Sequence, residues 1–393
     1  MDIFNSRYIL QEKRWLWIDY DKGISIMLVG FGHCCMVLNG HGLPFEQYPF
    51  INYINAFLYG FRMPLFFIVS GLLVAKSLHK KGLKGYVGDR TNNILYPLFV
   101  WGIIQVTMEL LAAGITHNHI TAMNYLDLII RPRENGHFWY LNALFFIGTV
   151  YALLKAKLKI PAAGQLALGF GFYCISAYIK LNNLDFGLCN DFCEYYFFFA
   201  LGDVVSKIML AEGNIDRFSS WKIFVPLIIS FAVVQYYFTK DNASPSIYGI
   251  AYTENVHPFL FMAEALLGCV TSVSFSFLLQ KYKVFTFIRI IGYHSLFIYC
   301  MQIIMMSVTR ILCMNVLHIY NVPALVLIVW TSGVILPIFI YNFCLKYGLW
   351  WLYTYRKPEK QVAYMRKANI FWFDKKKDAS DLQEPLYDTL PSS

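Results

Sequence analysis

Residues 23–38 read GISIMLVGFGHCCMVL, an apolar run with His33 about ten residues in. At a helical rise of about 1.5 Å per residue, His33 lies roughly 15 Å from the start of the run. That is near the middle of a hydrocarbon core about 30 Å thick. An ionisable side chain facing lipid at that depth costs about 2.5 kcal/mol or more. His33 is therefore expected to face a protein interior or a wet cavity. Imidazole titrates near neutrality and suits proton transfer. The competing reading is a structural histidine bonded to a neighbouring helix.

The rest of the chain extends this reading. Of its 393 residues, 58% are hydrophobic and only 15% charged, against about 25% charged in soluble domains. The mean hydropathy is +0.48. No long polar stretch interrupts the apolar runs, so one polytopic membrane domain is expected rather than several soluble ones. The aromatic share of 18% suits interfacial belts. The net charge of +9 comes from Lys and Arg gathered in particular loops and does not argue for nucleic acid. The first 22 residues are mixed and polar, with no pattern of a cleavable signal peptide. The nine cysteines show no zinc spacing. Seven lie in apolar segments and are expected to be buried thiols. Cys189 and Cys193 share a loop and are the one candidate disulfide.

Ten spans are predicted, at 22–40, 54–78, 92–116, 137–156, 159–180, 194–211, 221–239, 257–280, 286–313 and 322–346. Most hold about 17–25 apolar residues, enough to cross as a helix. Strands are excluded by the lack of alternation and the cost of open sheet edges in lipid. With the N-terminus in the cytoplasm, 27 of the 33 Lys and Arg fall in cytoplasmic segments and four (Arg131, Arg133, Lys180 and Lys240) in outer loops. That asymmetry favours an even span number with both termini inside. The expected organisation is an N-terminal cytoplasmic segment at 1–21, a membrane domain at 22–348 and a cytoplasmic tail at 349–393. The tail is basic and aromatic through Lys377, suited to anionic headgroups, then acidic and Ser-rich and expected to be disordered. No internal repeat is visible.

Several polar residues stand out against this background. Lys22 precedes His33 by eleven residues, about three helical turns, on nearly the same face. The bland reading of Lys22 is a positive-inside anchor. Arg62 sits in FRMPLFFIVSGLL, about 12 Å from the outer end of its span. It keeps its charge and needs a carboxylate, carbonyls or water; Glu109 and Glu264 are candidate ion-pair partners. Pro64 is expected to open the local helix bonding. Arg90, with Lys80, Lys81 and Lys84, forms a basic loop suited to phosphates. Simple topology signalling explains the lysines equally well. Trp139 and Tyr140, beside His137, form an aromatic rim that suits sugar stacking or a membrane belt.

The order of motifs is D-x-x-K-G with a downstream His, then F-R-M-P-L-F-F-x-x-S-G and R-x-x-N-x-x-x-P. F-W-Y-L, FFFALGDVVSK and IGYHSLFIYCMQ follow. From Asp19 to Gln302 this resembles the acyltransferase-3 family of membrane-bound O-acyltransferases, especially its sugar O-acetyltransferase branch. The resemblance implies an all-α bundle of ten or more spans in the bacterial cytoplasmic (inner) membrane. It implies acyl transfer from cytoplasmic acetyl-CoA, or another short acyl-CoA, to a hydroxyl of an envelope or exopolysaccharide sugar, possibly lipid-linked. No metal is implied. His33 falls on the family's histidine and Lys22 on its upstream basic residue, where many members have Arg. Arg90 falls on the basic-loop arginine. Asn93, Gln302 and Arg62 depart from the pattern, since related sequences often carry Arg, His and His there. The expected roles are His33 as general base or acyl carrier and Arg62 at the oxyanion or at acidic groups of the sugar. Lys22 and Arg90 are expected at the donor, and Trp139 and Tyr140 at the acceptor. A transporter or flippase for a lipid-linked or envelope sugar suits the in-span charges as well.

Overall fold

The computed structural model describes residues 4, 6–11, 15–39, 43–116, 121–243, 249–359 and 361–362. The described residues form an all-α bundle with no strand. The principal helices are α1 (Leu16–Leu38), α2 (Pro49–Phe57), α3 (Tyr59–Leu72), α4 (Val74–Arg90), α5 (Tyr96–Thr116), α6 (Trp139–Lys157) and α7 (Ala162–Leu181). They continue with α8 (Leu188–Met209), α9 (Trp221–Asn242), α10 (Tyr252–Val256), α11 (Pro258–Tyr282), α12 (Phe287–Tyr293), α13 (Ser295–Ile311) and α14 (Val322–Lys346). Helices are the form that satisfies every backbone donor and acceptor within lipid.

Nine runs among the described residues are long and apolar enough to cross a membrane. The sixth span of the sequence reading corresponds to α8. Its Asp191, Glu194, Asp203 and Lys207 make it too polar for that count. It is nonetheless deep in the bundle, packed along both α3 and α7. The three carboxylates are buried against protein and Lys207 is exposed in the last turn, which is how a helix this polar holds a central place.

Helix α1 is the hub, touching α3, α11, α12, α13 and α14. It begins at Leu16, six residues before the expected start. His33 therefore lies about 8 Å from the Leu38 end rather than at the midpoint. Between α2 and α3 the helix breaks at Leu58 (φ −98°, ψ 2°). Pro64 lies six residues on; it lacks an N–H for the Gly60 carbonyl. The helices on both sides of the break touch α1.

Close contact of α3 with α8 depends on two glycines. A Cβ on Gly71 would strike the Phe199 carbonyl, and one on Gly202 the Ile68 carbonyl. Neither neighbour is a movable side chain, so Gly71→Val is expected to cost about 1–3 kcal/mol through overpacking. The check is a lower thermal midpoint of the detergent-solubilised protein.

The start of the tail docks on the bundle. Tyr353 is buried against Tyr341, Phe297 and Trp101. The Arg356 backbone N–H donates to Asn92 Oδ1 at 2.9 Å. The expectations for residues 363–393 lie outside the described residues.

Candidate functional site

A polar cavity of about 130 Å³ opens among α1, α3, α6, α8, α10, α11 and α13, and His33 lines it. Gln302 of α13, fully buried, places its amide nitrogen 2.8 Å from His33 Nδ1. Gln302 Oε1 has no partner. The two amide ends are interchangeable in shape and are assigned by their hydrogen bonds. With Oε1 turned to the ring, Gln302 accepts from Nδ1–H and leaves Nε2 as a base. In either arrangement the other amide end is left without a partner.

Arg62 lines the same cavity, with 8% of its surface exposed. Its guanidinium donates to the Leu28 carbonyl at 3.2 Å and to Asn55 Oδ1 at 3.3 Å. It also lies 5.0 Å from the Tyr59 ring centre. Gly32 leaves room for it, since a Cβ there would meet the guanidinium. Among the described residues no carboxylate pairs with Arg62. The expected partners are engaged elsewhere. Glu264 accepts from Gln235, and Glu109 accepts from Gln105 at 3.0 Å.

One wall is a charged network. Arg133 meets Asp191 at 2.7 Å, and Lys180 bridges Glu194 at 2.5 Å and Glu254 at 2.9 Å. Tyr59 donates to Glu254 Oε2 at 2.5 Å. The three carboxylates are all buried. Asn242 clamps α10 through two bonds to Thr253, at 2.8 and 3.1 Å, which sets Glu254 in place. Burial pushes the Glu254 carboxyl up, but Lys180, Arg133 and the Tyr59 hydroxyl outweigh it and hold it below the usual carboxylate range. The sequence reading missed this network. Arg133 and Lys180 were read as outer-loop charges, while Asp191, Glu194 and Glu254 drew no notice. One local signal existed: Asp191 and Glu194 are three apart, on one helical face beside an aromatic run.

The two aromatic candidates separate. Trp139 lines the cavity, with the Arg133 guanidinium 4.7 Å from its ring. Tyr140 does not; it is buried against Phe66, Phe67 and Tyr299. Adjacent residues on a helix point about 100° apart, so both cannot face one small cavity.

The basic candidates lie outside the cavity. Lys22 sits on α1 about 17 Å along the axis from His33. Arg90 ends α4 and is buried rather than free in a loop. It donates to the Tyr86 hydroxyl at 3.0 Å and to the Leu144 carbonyl. Its guanidinium rests on Gly148, where a Cβ would collide with it. Leu144 and Gly148 lie five and nine residues past Trp139, so Arg90 is about 8–13 Å deeper along α6 than the cavity. Its Nε has no partner. Cys189 and Cys193 are free thiols, so the candidate disulfide is absent.

Comparison with known proteins gives a consistent picture. Residues 15–342 match the acyltransferase-3 model, described as an acyltransferase domain. Nodulation protein NolL of Sinorhizobium fredii (strain NBRC 101917 / NGR234) is 29% identical over 223 residues, covering 54% of this chain and 56% of that protein. Nodulation protein NolL of Mesorhizobium japonicum (strain LMG 29417 / CECT 9101 / MAFF 303099) is 29% identical over 164 residues, covering 40% and 42%. The chain thus spans about half the length of the curated relatives it matches. No solved structure matches.

Proposed function

Because the chain belongs to the acyltransferase-3 family, we propose that it moves an acetyl or other short acyl group from cytoplasmic acyl-CoA to a sugar hydroxyl of an envelope or exopolysaccharide. The observation that carries this reading is one cavity lined by both His33 and a guanidinium that, among the described residues, has no carboxylate partner. With the Gln302 amide oxygen turned to Nδ1–H, His33 Nε2 is the base for the acceptor hydroxyl. The hydroxyl oxygen attacks the thioester carbon, Arg62 stabilises the oxyanion, and the sulfur leaves with its electron pair. Arg62 suits that role because its charge is not already spent on a carboxylate.

The cavity has room for about four water volumes of about 30 Å³ each, below the 300–1,000 Å³ of sites that enclose a drug-sized ligand. That size suits an acyl carbonyl meeting one hydroxyl, with the rest of each substrate outside. Trp139 borders the acceptor, while Tyr140 supports it from behind. The donor is placed on the side of Lys22 and Arg90; the orphaned Arg90 Nε supports this.

The test uses the full chain in proteoliposomes with acetyl-CoA and candidate oligosaccharides, read by mass spectrometry. A gain of an acetyl group on the sugar, with free CoA released, is the expected result. Sugar that crosses the bilayer unmodified would point to a transporter instead. Lys22→Ala and Arg90→Ala are expected to raise the KM for acetyl-CoA by about tenfold, the equivalent of about 1.4 kcal/mol of lost binding. An unchanged donor KM in both would remove them from the donor site.

A further inference from the structure

His137 is a second histidine at the centre of the bundle, and the mechanism above leaves it without a task. Its side chain is 98% buried, and neither ring nitrogen makes a well-formed hydrogen bond, the nearest partners being the Tyr299 and Cys300 backbone. Buried polar groups are nearly always paired, so an orphaned imidazole needs an explanation. Its ring lies edge-on to His33, with centroids 5.5 Å apart. The fold holds it there by several devices. Gly136 takes φ +65°, a left-handed conformation suited to glycine, and turns the chain just before it. The Tyr299 hydroxyl donates to the His137 carbonyl. The Phe138 ring packs on its other neighbour face at 4.2 Å. A phenylalanine would fill the same space without orphaned nitrogens.

We propose that His137 is a positioning residue that accepts a hydrogen bond from the His33 imidazolium during acyl transfer, which rests on the transferase reading above. The proton balance shows why a receiver is useful. The acceptor hydroxyl gives its proton to His33 as the new C–O bond forms. The C–S bond then breaks, and the thiolate of CoA leaves with the electron pair. The proton must stay near the site until that sulfur takes it. Because Gln302 engages Nδ1–H, a neutral His137 nitrogen, reached directly or through one water, accepts from the new Nε2–H of the His33 imidazolium until the sulfur takes that proton. When the sulfur is protonated, both imidazoles are neutral again. Arg62, also on the cavity, cannot serve, because it is a permanent cation with no acceptor atom.

The experiment measures kcat and both KM values of the reconstituted full chain for wild type, His33→Ala, His137→Phe and His137→Gln. His137→Phe keeps the ring and loses the nitrogens. It is expected to lower kcat on the order of 10–100-fold, less than loss of the base itself. Both KM values should stay within about twofold, because uniform binding is untouched. His137→Gln keeps an acceptor and should recover part of kcat. Wild-type kcat in His137→Phe, or a loss confined to KM, overturns the proposal. Should His137→Phe fail to fold, the kcat of His137→Gln against His137→Leu decides by the same criterion. An inactive wild type would defeat the transferase reading itself. An active wild type, an inactive His33→Ala and an undiminished His137→Phe would defeat only the role of His137.

Discussion

His33→Ala is expected to lower acyl transfer by about 10²–10⁴-fold, the range for loss of a positioned general base. The bundle should survive the change. His33 makes one side-chain hydrogen bond, to Gln302, and borders a cavity rather than filling a packed core. A truncated side chain there can be replaced by water, so thermal stability in detergent should change little. The pairing of lost turnover with intact stability is the informative outcome. Wild-type turnover in this variant would end the catalytic assignment. Gln302→Leu provides a graded companion: it removes the group that orients Nδ1 while leaving the base in place. A smaller fall in kcat is expected, with donor and acceptor KM unchanged.

The second large effect concerns stability. Lys180→Met leaves Glu194 and Glu254 buried without the cation that bridges them, with Arg133, 3.9 Å from Glu194, as the remaining positive charge. Breaking one partner out of a buried ion pair costs about 3–5 kcal/mol, because the uncompensated charge remains. A thermal midpoint close to wild type would show that the network is solvated rather than buried. The pH dependence carries a sign. In the wild type the Glu254 carboxyl is held below its usual range. It therefore contributes stability that is full above that range and lost as pH falls through its lowered value. In Lys180→Met the main stabilising cation is gone, so mild acid should help the variant by neutralising a carboxylate. Adding Glu254→Gln to Lys180→Met should restore part of the loss, since coupled neighbours are not additive.

The legible residues and the hidden ones differ in a physical way. His33 and Arg62 stand out because each is a polar residue in an apolar run, where exposure to lipid is costly. That reasoning needs only the neighbouring residues in the chain. Arg133 and Lys180 were misread because charges near the ends of spans ordinarily serve as anchors. Their partners are distant in sequence: Asp191 is 58 residues from Arg133 and Glu254 is 74 from Lys180. Arg90 was read as part of a solvated basic loop. Its burial depends on Gly148, a residue of another helix that leaves the space empty. Tyr140 was grouped with Trp139 by adjacency, although the helix turns one towards the cavity and the other into the aromatic core.

The amino-acid order alone determined the helical membrane bundle, because runs of apolar residues of bilayer length have no other way to satisfy their backbone in lipid. It also singled out His33, since an ionisable group inside such a run must find a polar surrounding. Which groups supply that surrounding was decided by tertiary packing. Gln302 and His137 come to His33, and Arg62 to its cavity, from three other segments, with a left-handed turn before His137 and Gly32 leaving room for the guanidinium. Pairing across helices is set by the rotation and depth at which each helix docks, and local hydrophobic pattern carries no record of either.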